Sequence, residues 1–421
     1  MKPLSLYQNH HMAKILIKNI KGLVQAGEDI PSVRKGLEMK QLDLIENAYL
    51  ALEDSEVIGY GSMMDWEGIL DWRDVEVVDA EGCFVLPAFI DSHTHAVFAK
   101  TREEEFVDRI HGLSYEEIAA KGGGILNSAR KLAELSEDEV FEAAKKRVEK
   151  IIQSGTGALE IKSGYGLSLE GELKMLRVIK RLKAAMPIAI KATFLGAHAY
   201  PEKFKENKRA YIDLIVSEML PAIHMENLAD YIDVFCERNY FSVSEMEEIL
   251  KAGIAIGLKP KVHVNQFSIL GGVQKAVELG AISVDHLEEI DENDLNALKN
   301  SATIPTLLPG CSHFLSIPFG DARRILSAGL PLALASDFNP GSSPNYHLMT
   351  ILSLACVKQK LTPEEALNAL TINAAAAMEL SESHGKIALG RRSPIMMTKE
   401  IPSLAYLAYA FGEDHIQRIF L

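Results

Sequence analysis

Two histidines lie two residues apart at the end of an apolar run, in the stretch "FIDSHTHAVF" at residues 89–98. In a strand, residues i and i+2 face the same side, so His93 and His95 could reach one ion from a single element. Other apolar runs also end in ionisable residues, namely Lys162 and Tyr165, His198, His263, His286 and Asp337. Three imidazoles and one carboxylate suit zinc or iron and leave a position free for water. The predicted ligands of such a catalytic metal site are His93, His95, His263 and Asp337.

The elements that must position these residues follow a regular order. After Cys83, short apolar runs alternate with longer segments of helical period, which is typical of parallel βα units. Eight strands are predicted, at 84–90, 158–162, 188–195, 231–235, 261–264, 282–284, 303–308 and 332–335. This pattern predicts an α/β fold of the (β/α)8 TIM-like barrel type, whose chemistry lies at the carboxyl ends of its strands. A doubly wound open sheet is the alternative.

Helix starts are marked by capping residues. Ser136 with Glu139 forms a capping-box pattern, and Thr362 with Glu365 repeats it with Pro363 at the first helical position. Lys162, at the end of the second strand, could bridge two ions if carbamylated, but a single ion does not require this, and we expect it to form a buried ion pair with Glu160 or a neighbour. The remaining histidines lack a strand-end position and are expected on the surface or in loops: His10, His11, His111, His224, His313, His347, His384 and His415.

Composition excludes some classes of partner. The chain has 421 residues, 48% hydrophobic content and a net charge of −14, so nucleic acid and anionic membranes are disfavoured. A small anionic substrate would need a local basic group. No signal-peptide core or bilayer-length apolar run is found, which predicts a cytoplasmic protein. The four cysteines, Cys83, Cys236, Cys311 and Cys356, show no CxxC spacing and are expected as reduced thiols.

The order of histidines and the final aspartate resembles the amidohydrolase superfamily. Finer motifs are similar to those of the imidazolonepropionase family of histidine degradation, from about residue 13 to the end of the chain. They are "FAKTREEEF", "SYEEIAAKGGGI", "EIKSGYG", "FLGAHA", "IDVFCE", "SVDHLE", "LLPG", "SDFNPGSSP" and "LTINAA". The resemblance and the strand-like pieces of the first eighty residues together predict three segments. Residues 1–83 and 381–421 would form a small β-sandwich domain, and residues 84–380 the barrel.

The resemblance implies a reaction and a site. One divalent or trivalent metal ion per chain, zinc or iron, would be held by the ligand set named above. The small anionic substrate would be 4-imidazolone-5-propanoate, opened by a metal-activated water to N-formimidoyl-L-glutamate, and the chain would form a homodimer. Positions matching substrate contacts are Arg102, Tyr165 and His198, and those matching product contacts are Asn339, Gly341 and Ser342. Arg102 offers a fixed fork of donors to a carboxylate.

The expected catalytic groups are Asp337, as ligand and base, and His286, which would stabilise the oxyanion with the metal. One departure concerns Gln266. The family typically has a "HADEF"-like run after the fifth-strand histidine, whereas this chain has "HVNQF". An amide can donate and accept hydrogen bonds but cannot shuttle a proton at neutral pH. Either Gln266 orients the substrate while Asp337 and His286 transfer the protons, which we expect, or the activity is weak or altered.

A second departure is "GKIALGRRSPIMM" near the end of the chain, where Pro394 would interrupt a central strand. We expect this piece to be an edge strand or rearranged. Two other functions stay open. One is a different amidohydrolase, such as a nucleobase deaminase or a cyclic amidase. The other is a non-catalytic descendant of the barrel.

Overall fold

The computed structural model describes residues 14–68, 73–113, 117–118 and 121–421, so that His10 and His11 lie outside the described residues. Eight strands form a parallel sheet in chain order. They are β6 (Phe89–Asp91), β7 (Thr156–Lys162), β8 (Ala189–Ala197), β9 (Tyr231–Cys236), β10 (Lys259–Val264), β11 (Ser283–His286), β12 (Ile304–Leu307) and β13 (Ala333–Leu334).

The sheet closes on itself through the segments that follow its first and last strands. The Asp337 N–H donates to the His93 carbonyl at 3.0 Å, and the His95 N–H donates to the Phe338 carbonyl at 2.8 Å. Thr94 and Phe338 form a parallel bridge. The predicted (β/α)8 barrel is therefore confirmed, and the open-sheet alternative is wrong. Because these closing bonds directly join the loops after β6 and β13, they also bring His93 and Asp337 together.

The predicted first barrel strand at 84–90 is wrong in its first half. Residues Cys83–Pro87 form β5, which pairs with β1 (Lys14–Val24) and β14 (Ile395–Glu400) in a second sheet. Only Phe89–Asp91 belongs to the barrel. Both strands are fully buried, so the apolar run continues across Ala88 and periodicity gives no sign of a break. Residues 84–87 therefore lie outside the barrel sheet.

The second sheet combines both ends of the described chain, as predicted for the small β domain. Its order is β15-β14-β5-β1-β2-β3, with β4 also paired to β1, so its strands are hydrogen-bonded into one continuous sheet rather than two. The further strands are β2 (Leu44–Glu53), β3 (Glu56–Ser62), β4 (Val75–Asp79) and β15 (Ile416–Phe420). One face buries an apolar cluster that includes Ile17, Leu50 and Val85.

Pro394 does not make its segment an edge strand, so that expectation is wrong. It stands one residue before β14, which lies between β5 and β15 and pairs with both. Proline has no N–H to donate, and a position just before a strand costs no ladder bond. Its carbonyl instead accepts from the Ala88 N–H at 2.8 Å and so links the two sheets.

Helices surround the barrel. They are α1 (Glu103–Ile110), α2 (Gly124–Ala133), α3 (Glu137–Gln153), α4 (Leu169–Ala185), α5 (Lys208–Leu214), α6 (Leu220–Glu226), α7 (Val243–Ala255), α8 (Gly272–Glu278), α9 (Glu292–Lys299), α10 (Pro309–Leu315), α11 (Ala322–Ser327), α12 (Leu348–Gln359), α13 (Pro363–Leu370), α14 (Ile372–Ala376) and α15 (Ala405–Tyr409). Short 3-10 turns cover Gly36–Lys40 and Glu202–Phe204, and a π turn covers Ile215–Met219. Both predicted capping boxes are present, at Ser136 and Thr362.

Two further sequence expectations can be compared with the structure. Within the described residues, no helix has the length and apolar character needed to cross a bilayer. His111, His224, His313 and His347 are exposed, as expected. His415 lies in a loop, as expected, although it is only 2% exposed. It packs edge-on against the ring of Tyr406, which covers it.

Candidate metal centre and substrate cavity

Four donor groups converge at the carboxyl end of the barrel. The Nε2 atoms of His93 and His95 lie 3.6 and 3.5 Å from Asp337 Oδ1, and His263 Nε2 lies 3.4 Å from His95 Nε2. All four residues are buried. Ligands of a tetrahedral ion with bonds of about 2.1 Å lie about 3.4 Å from one another. The observed spacings therefore fit a single ion, and His93 Nε2 has no hydrogen-bond partner among the described residues.

Two aspartates that the sequence analysis missed hold the far sides of these rings. Asp285 Oδ2 lies 2.6 Å from His93 Nδ1, and Asp233 Oδ2 lies 2.8 Å from His263 Nδ1. A carboxylate at Nδ1 fixes the proton there, so Nε2 keeps its lone pair for a metal. Asp233 stands inside an otherwise apolar strand, and Asp285 lies in the fully buried β11, so that each charge is costly without a partner. That pattern was the available signal for both residues.

Lys162 joins the two aspartates instead of entering the metal site. Its Nζ lies 2.8 Å from Glu160 Oε1, 2.9 Å from Asp233 Oδ2 and 3.9 Å from Asp285 Oδ2. Burial by itself would lower the pKa of Lys162, but the charges of Asp233 and Glu160 outweigh it and raise the pKa above its ordinary value. The expected buried ion pair with Glu160 is present. This network keeps the metal-facing histidines in place.

The pKa values of the site suit cation binding. Burial lowers the pKa of His93, His95 and His263 well below the ordinary histidine value, so the rings stay neutral at pH 7. Burial raises the pKa of the Asp337 carboxyl to about 6. A carboxyl with its pKa near neutrality can exchange protons during turnover. Three neutral nitrogens and one carboxylate are the donor chemistry of zinc and non-haem iron sites.

A small cleft with a cavity volume of about 40 Å³ opens above these groups. Its lining includes the predicted substrate-binding side chains Arg102, Tyr165, His198, Gln266, Asn339 and Ser342, together with His95, His263, His286 and Asp337. Arg102 is only 6% exposed, and its Nε and Nη1 atoms have no hydrogen-bond partner within the described chain. Glu105 Oε2 is the nearby charge, at 3.8 Å from Nε. A buried guanidinium with free donors is suited to an anionic ligand.

Tyr165 and His198 line the cleft side by side, with their ring centroids 5.4 Å apart. Gly164 has φ +103°, and a side chain there would meet His198 Nδ1 at 2.9 Å, so the tight turn predicted around Tyr165 requires glycine. Glu172 accepts the N–H groups of Gly166 and Leu167 at 2.8 and 2.9 Å and holds the turn. His198 Nδ1 donates to the Gly164 carbonyl at 3.0 Å. Burial lowers the pKa of His198 to about 4, so this ring is neutral at pH 7.

The loop after β13 is organised by Asn339. Its Oδ1 accepts from the N–H groups of Gly341 and Ser342 at 2.8 and 2.7 Å, and its Nδ2 donates to the Asp337 carbonyl and Ser342 Oγ at 2.7 and 2.8 Å. All hydrogen-bonding positions of the amide are thus occupied within the loop. Gly341 does not line the cleft but packs against the guanidinium of Arg102. Direct product contacts by this loop stay a prediction.

His286 and Gln266 complete the wall on the side of α10. Burial would lower the pKa of His286, but the adjacent carboxylate of Glu288, together with Asp337 and Asp285, outweighs burial and raises it. Gln266 Nε2 donates to the sulfur of Cys311 at 3.3 Å. The amide of Gln266 is therefore held with its oxygen available to the cleft. The sequence analysis assigned neither Glu288 nor Cys311 to the site. The available sign for Glu288 was its charge directly after the strand-end motif "DHL".

Comparisons with known proteins agree with this geometry. The model of the amidohydrolase family matches residues 84–415. The chain is 54% identical to the imidazolonepropionase of Flavobacterium johnsoniae, over 96% of this chain and 98% of the relative. It is 51% identical to the imidazolonepropionase of Christiangramia forsetii, over 97% and 98% of the two chains.

Solved structures support the fold at much lower identity. The guanine deaminase of E. coli superimposes with a TM-score of 0.73 at 11% identity and covers 98% of both chains. A zinc-bound adenosine deaminase from Xanthomonas campestris has a TM-score of 0.70 at 12% identity, over 97% of this chain and 92% of that one. These similarities bear on the architecture alone.

Proposed function

The chain belongs to the imidazolonepropionase family of the amidohydrolases, and we propose that it hydrolyses 4-imidazolone-5-propanoate to N-formimidoyl-L-glutamate in histidine degradation. The observation that carries this proposal is the position of Arg102. This buried cation lines the same cleft as three of the four convergent metal-binding groups. One cleft thus offers both a place for a carboxylate and a place for a hydrolytic metal.

The residues present fit one metal ion per chain. His93, His95, His263 and Asp337 would hold it, at the spacings given above. When bound, such an ion would lower the pKa of a water toward about 7 and polarise the ring carbonyl. Three neutral nitrogens with one carboxylate accommodate either zinc or iron, so we propose one of these two.

The side chains around the metal site would then position the substrate and move protons. Arg102 would bind the propanoate carboxylate through its free Nε and Nη1 donors. Asp337 would accept a proton from the attacking water and deliver it to the ring nitrogen that leaves. His286, which also lines the cleft, would donate a hydrogen bond to the carbonyl oxygen as negative charge develops there. Gln266 would orient the ring with its amide oxygen, because an amide neither gains nor loses a proton at neutral pH.

The alternatives drawn from the sequence differ in what they require of Arg102. A nucleobase deaminase acts on a neutral ring and gains nothing from a buried guanidinium with free donors, whose burial is costly without an anion. A non-catalytic descendant has no need to keep four metal-binding groups and the aspartates behind them. Both features favour the hydrolysis of a small anionic cyclic amide.

Elemental analysis and an absorbance assay on the same purified protein test the proposal. We expect about one zinc or iron per chain and a metal-dependent loss of the ultraviolet absorbance of 4-imidazolone-5-propanoate. Arg102→Met is the matched variant, since it keeps an unbranched apolar stem and removes the charged guanidinium. We expect it to raise KM for the propanoate substrate while the metal content stays the same. Absence of turnover by a metal-loaded, folded protein would refute the proposed function.

We also propose that the chain acts as a homodimer on this small anion. The support is the resemblance to the family. Light scattering coupled to size-exclusion chromatography would give about twice the chain mass of 46.4 kDa for a dimer. A single-chain mass at micromolar concentration would contradict it.

A further inference from the structure

The backbone reverses direction sharply just after β11. His286 has φ +88° and Leu287 has φ +56°, two consecutive residues other than glycine in a sparsely populated region. The turn is held by bonds from the Leu287 N–H to the Val264 carbonyl at 3.3 Å and from the Glu289 N–H to the Asn265 carbonyl at 3.0 Å. Because of this reversal, Glu288 points back toward the cleft wall, while Glu289 is exposed.

The carboxylate of Glu288 is placed against His286. It is only 7% exposed, its Oε1 accepts from Ser312 Oγ at 3.0 Å, and its Oε2 lies 3.4 Å from His286 Nδ1. His286 is its one ion-pair partner within the described part of the chain. The ring also lies near Asp337 and Asp285, whose negative charges, like that of Glu288, raise the pKa of His286.

We infer that Glu288 is a positioning residue: its Oε2 lies 3.4 Å from Nδ1 of His286, a nitrogen with no hydrogen-bond partner among the described residues, and this charge contact orients the ring so that Nε2 faces the substrate carbonyl. The inference rests on the proposed function, because it assigns Glu288 a part in the same reaction. A carboxylate beside Nδ1 fixes the orientation of a histidine ring and favours its doubly protonated form, in which the Nε2–H group is free to donate to the carbonyl oxygen. Ser312, on α10, anchors the carboxylate from the other side.

Glu288→Gln tests this with little change of shape, and the exposed neighbour Glu289→Gln is the matched control. The holoenzyme with Glu288→Gln should lose roughly 10- to 100-fold in kcat, with KM changed less than threefold, as for other groups that orient a reacting side chain. Glu289→Gln should stay within twofold of the wild type. In a His286→Ala background, Glu288→Gln should have no further effect on kcat, because Glu288 acts through that ring.

Several outcomes would overturn the inference. These are an unchanged kcat in Glu288→Gln, a loss that falls mainly on KM, or an equal loss with and without His286. His286, Glu288 and Cys311 also lie close enough together to hold a cation. A second bound zinc per chain in the wild type that disappears in Glu288→Gln would show that the carboxylate is a ligand instead.

A readout independent of turnover separates this inference from the proposed function. In zinc-loaded protein labelled with 15N at histidine, the signal that His286→Ala removes should show a proton on Nδ1. Glu288→Gln should shift that signal and leave those of the other histidines unchanged, while Glu289→Gln should change none. A His286 ring with Nδ1 unprotonated would refute the role of Glu288. If the wild type failed to hydrolyse the imidazolone, the proposed function would fail while this spectrum still decided the role of Glu288.

Discussion

Replacing Gly341 with alanine should displace Arg102 and weaken substrate binding. A Cβ atom at position 341 would overlap Nη2 and Cζ of the Arg102 guanidinium and lie 2.6 Å from its Nε, where ordinary contact begins at 3.4 Å. The guanidinium has to move by about 2 Å, because Nη2 would lie only 1.2 Å from the new Cβ atom. The loop that holds Gly341 cannot easily move in place of Arg102, because Arg109 Nη2 donates a hydrogen bond to the Gly341 carbonyl at 3.0 Å. The φ of Gly341 is not in the left-handed region, so the backbone itself tolerates alanine.

The cost follows from the hydrogen bonds that Arg102 would make to the propanoate carboxylate. A hydrogen bond to a charged group contributes about 1.5–3 kcal/mol, and a shift of about 2 Å removes at least one such bond. This corresponds to a loss of roughly 10- to 150-fold in kcat/KM, at about 1.4 kcal/mol per tenfold. Because the carboxylate is remote from the reacting carbonyl, we expect most of the loss in KM. Initial rates from the absorbance assay over a range of substrate concentrations measure both constants.

A double-mutant cycle with Arg102→Met decides whether Arg102 mediates the effect. If Gly341 acts through Arg102, adding Gly341→Ala to Arg102→Met should change kcat/KM less than twofold. Gly59→Ala is the control, because its Cβ would meet Ala51 at an ordinary 3.9 Å in the second sheet. A wild-type KM in Gly341→Ala, or losses that add fully in the double variant, would refute the reasoning.

Three further perturbations have defined outcomes. Gln266→Glu should raise kcat less than fivefold, because Asp337 carries the proton traffic; a gain of a hundredfold or more would contradict this. Asp285→Asn should weaken metal affinity roughly 10- to 100-fold in chelator competition by freeing His93, and wild-type affinity would argue against that support. Burial lowers the pKa of His384 to about 4. Between about pH 6.5 and pH 4 this histidine is therefore protonated in the unfolded chain but not in the folded one, so the free energy of unfolding decreases as the pH is lowered. His384→Asn should therefore lose up to about 2 kcal/mol less than the wild type between pH 7 and pH 5 in urea unfolding; an equal loss would count against it.

The barrel could be predicted because its strands and helices differ in length and period. All eight predicted strands overlap the observed ones. The overlap is smallest relative to the prediction at 84–90, which shares only residues 89 and 90 with β6, because two buried strands of different sheets follow one another there without a polar break. Alternating apolar and polar residues indicate a strand with one exposed face, and this alternation is lost when both faces are buried. The position of β14 between β5 and β15 could not be predicted either, because β5 comes from a distant part of the chain.

The candidate site was predictable where chemistry depends on residue type and strand position. The histidines at 93, 95 and 263 and Asp337 follow strands whose ends meet, so their convergence could be foreseen. The supports of the site could not, since pairing Asp285 with His93 or Glu288 with His286 depends on register and on a backbone reversal. Gly341 shows the same limit, because its contact with Arg102 joins two loops far apart in the sequence.

The central claim is that four side chains from separate barrel strands and loops share one cation. An anomalous difference map, collected at the zinc or iron absorption edge from crystals of active protein, tests it most directly. We expect one peak within about 2.3 Å of Nε2 of His93, His95 and His263 and of a carboxylate oxygen of Asp337. Active crystals with the peak elsewhere, or with no peak, would contradict the claim.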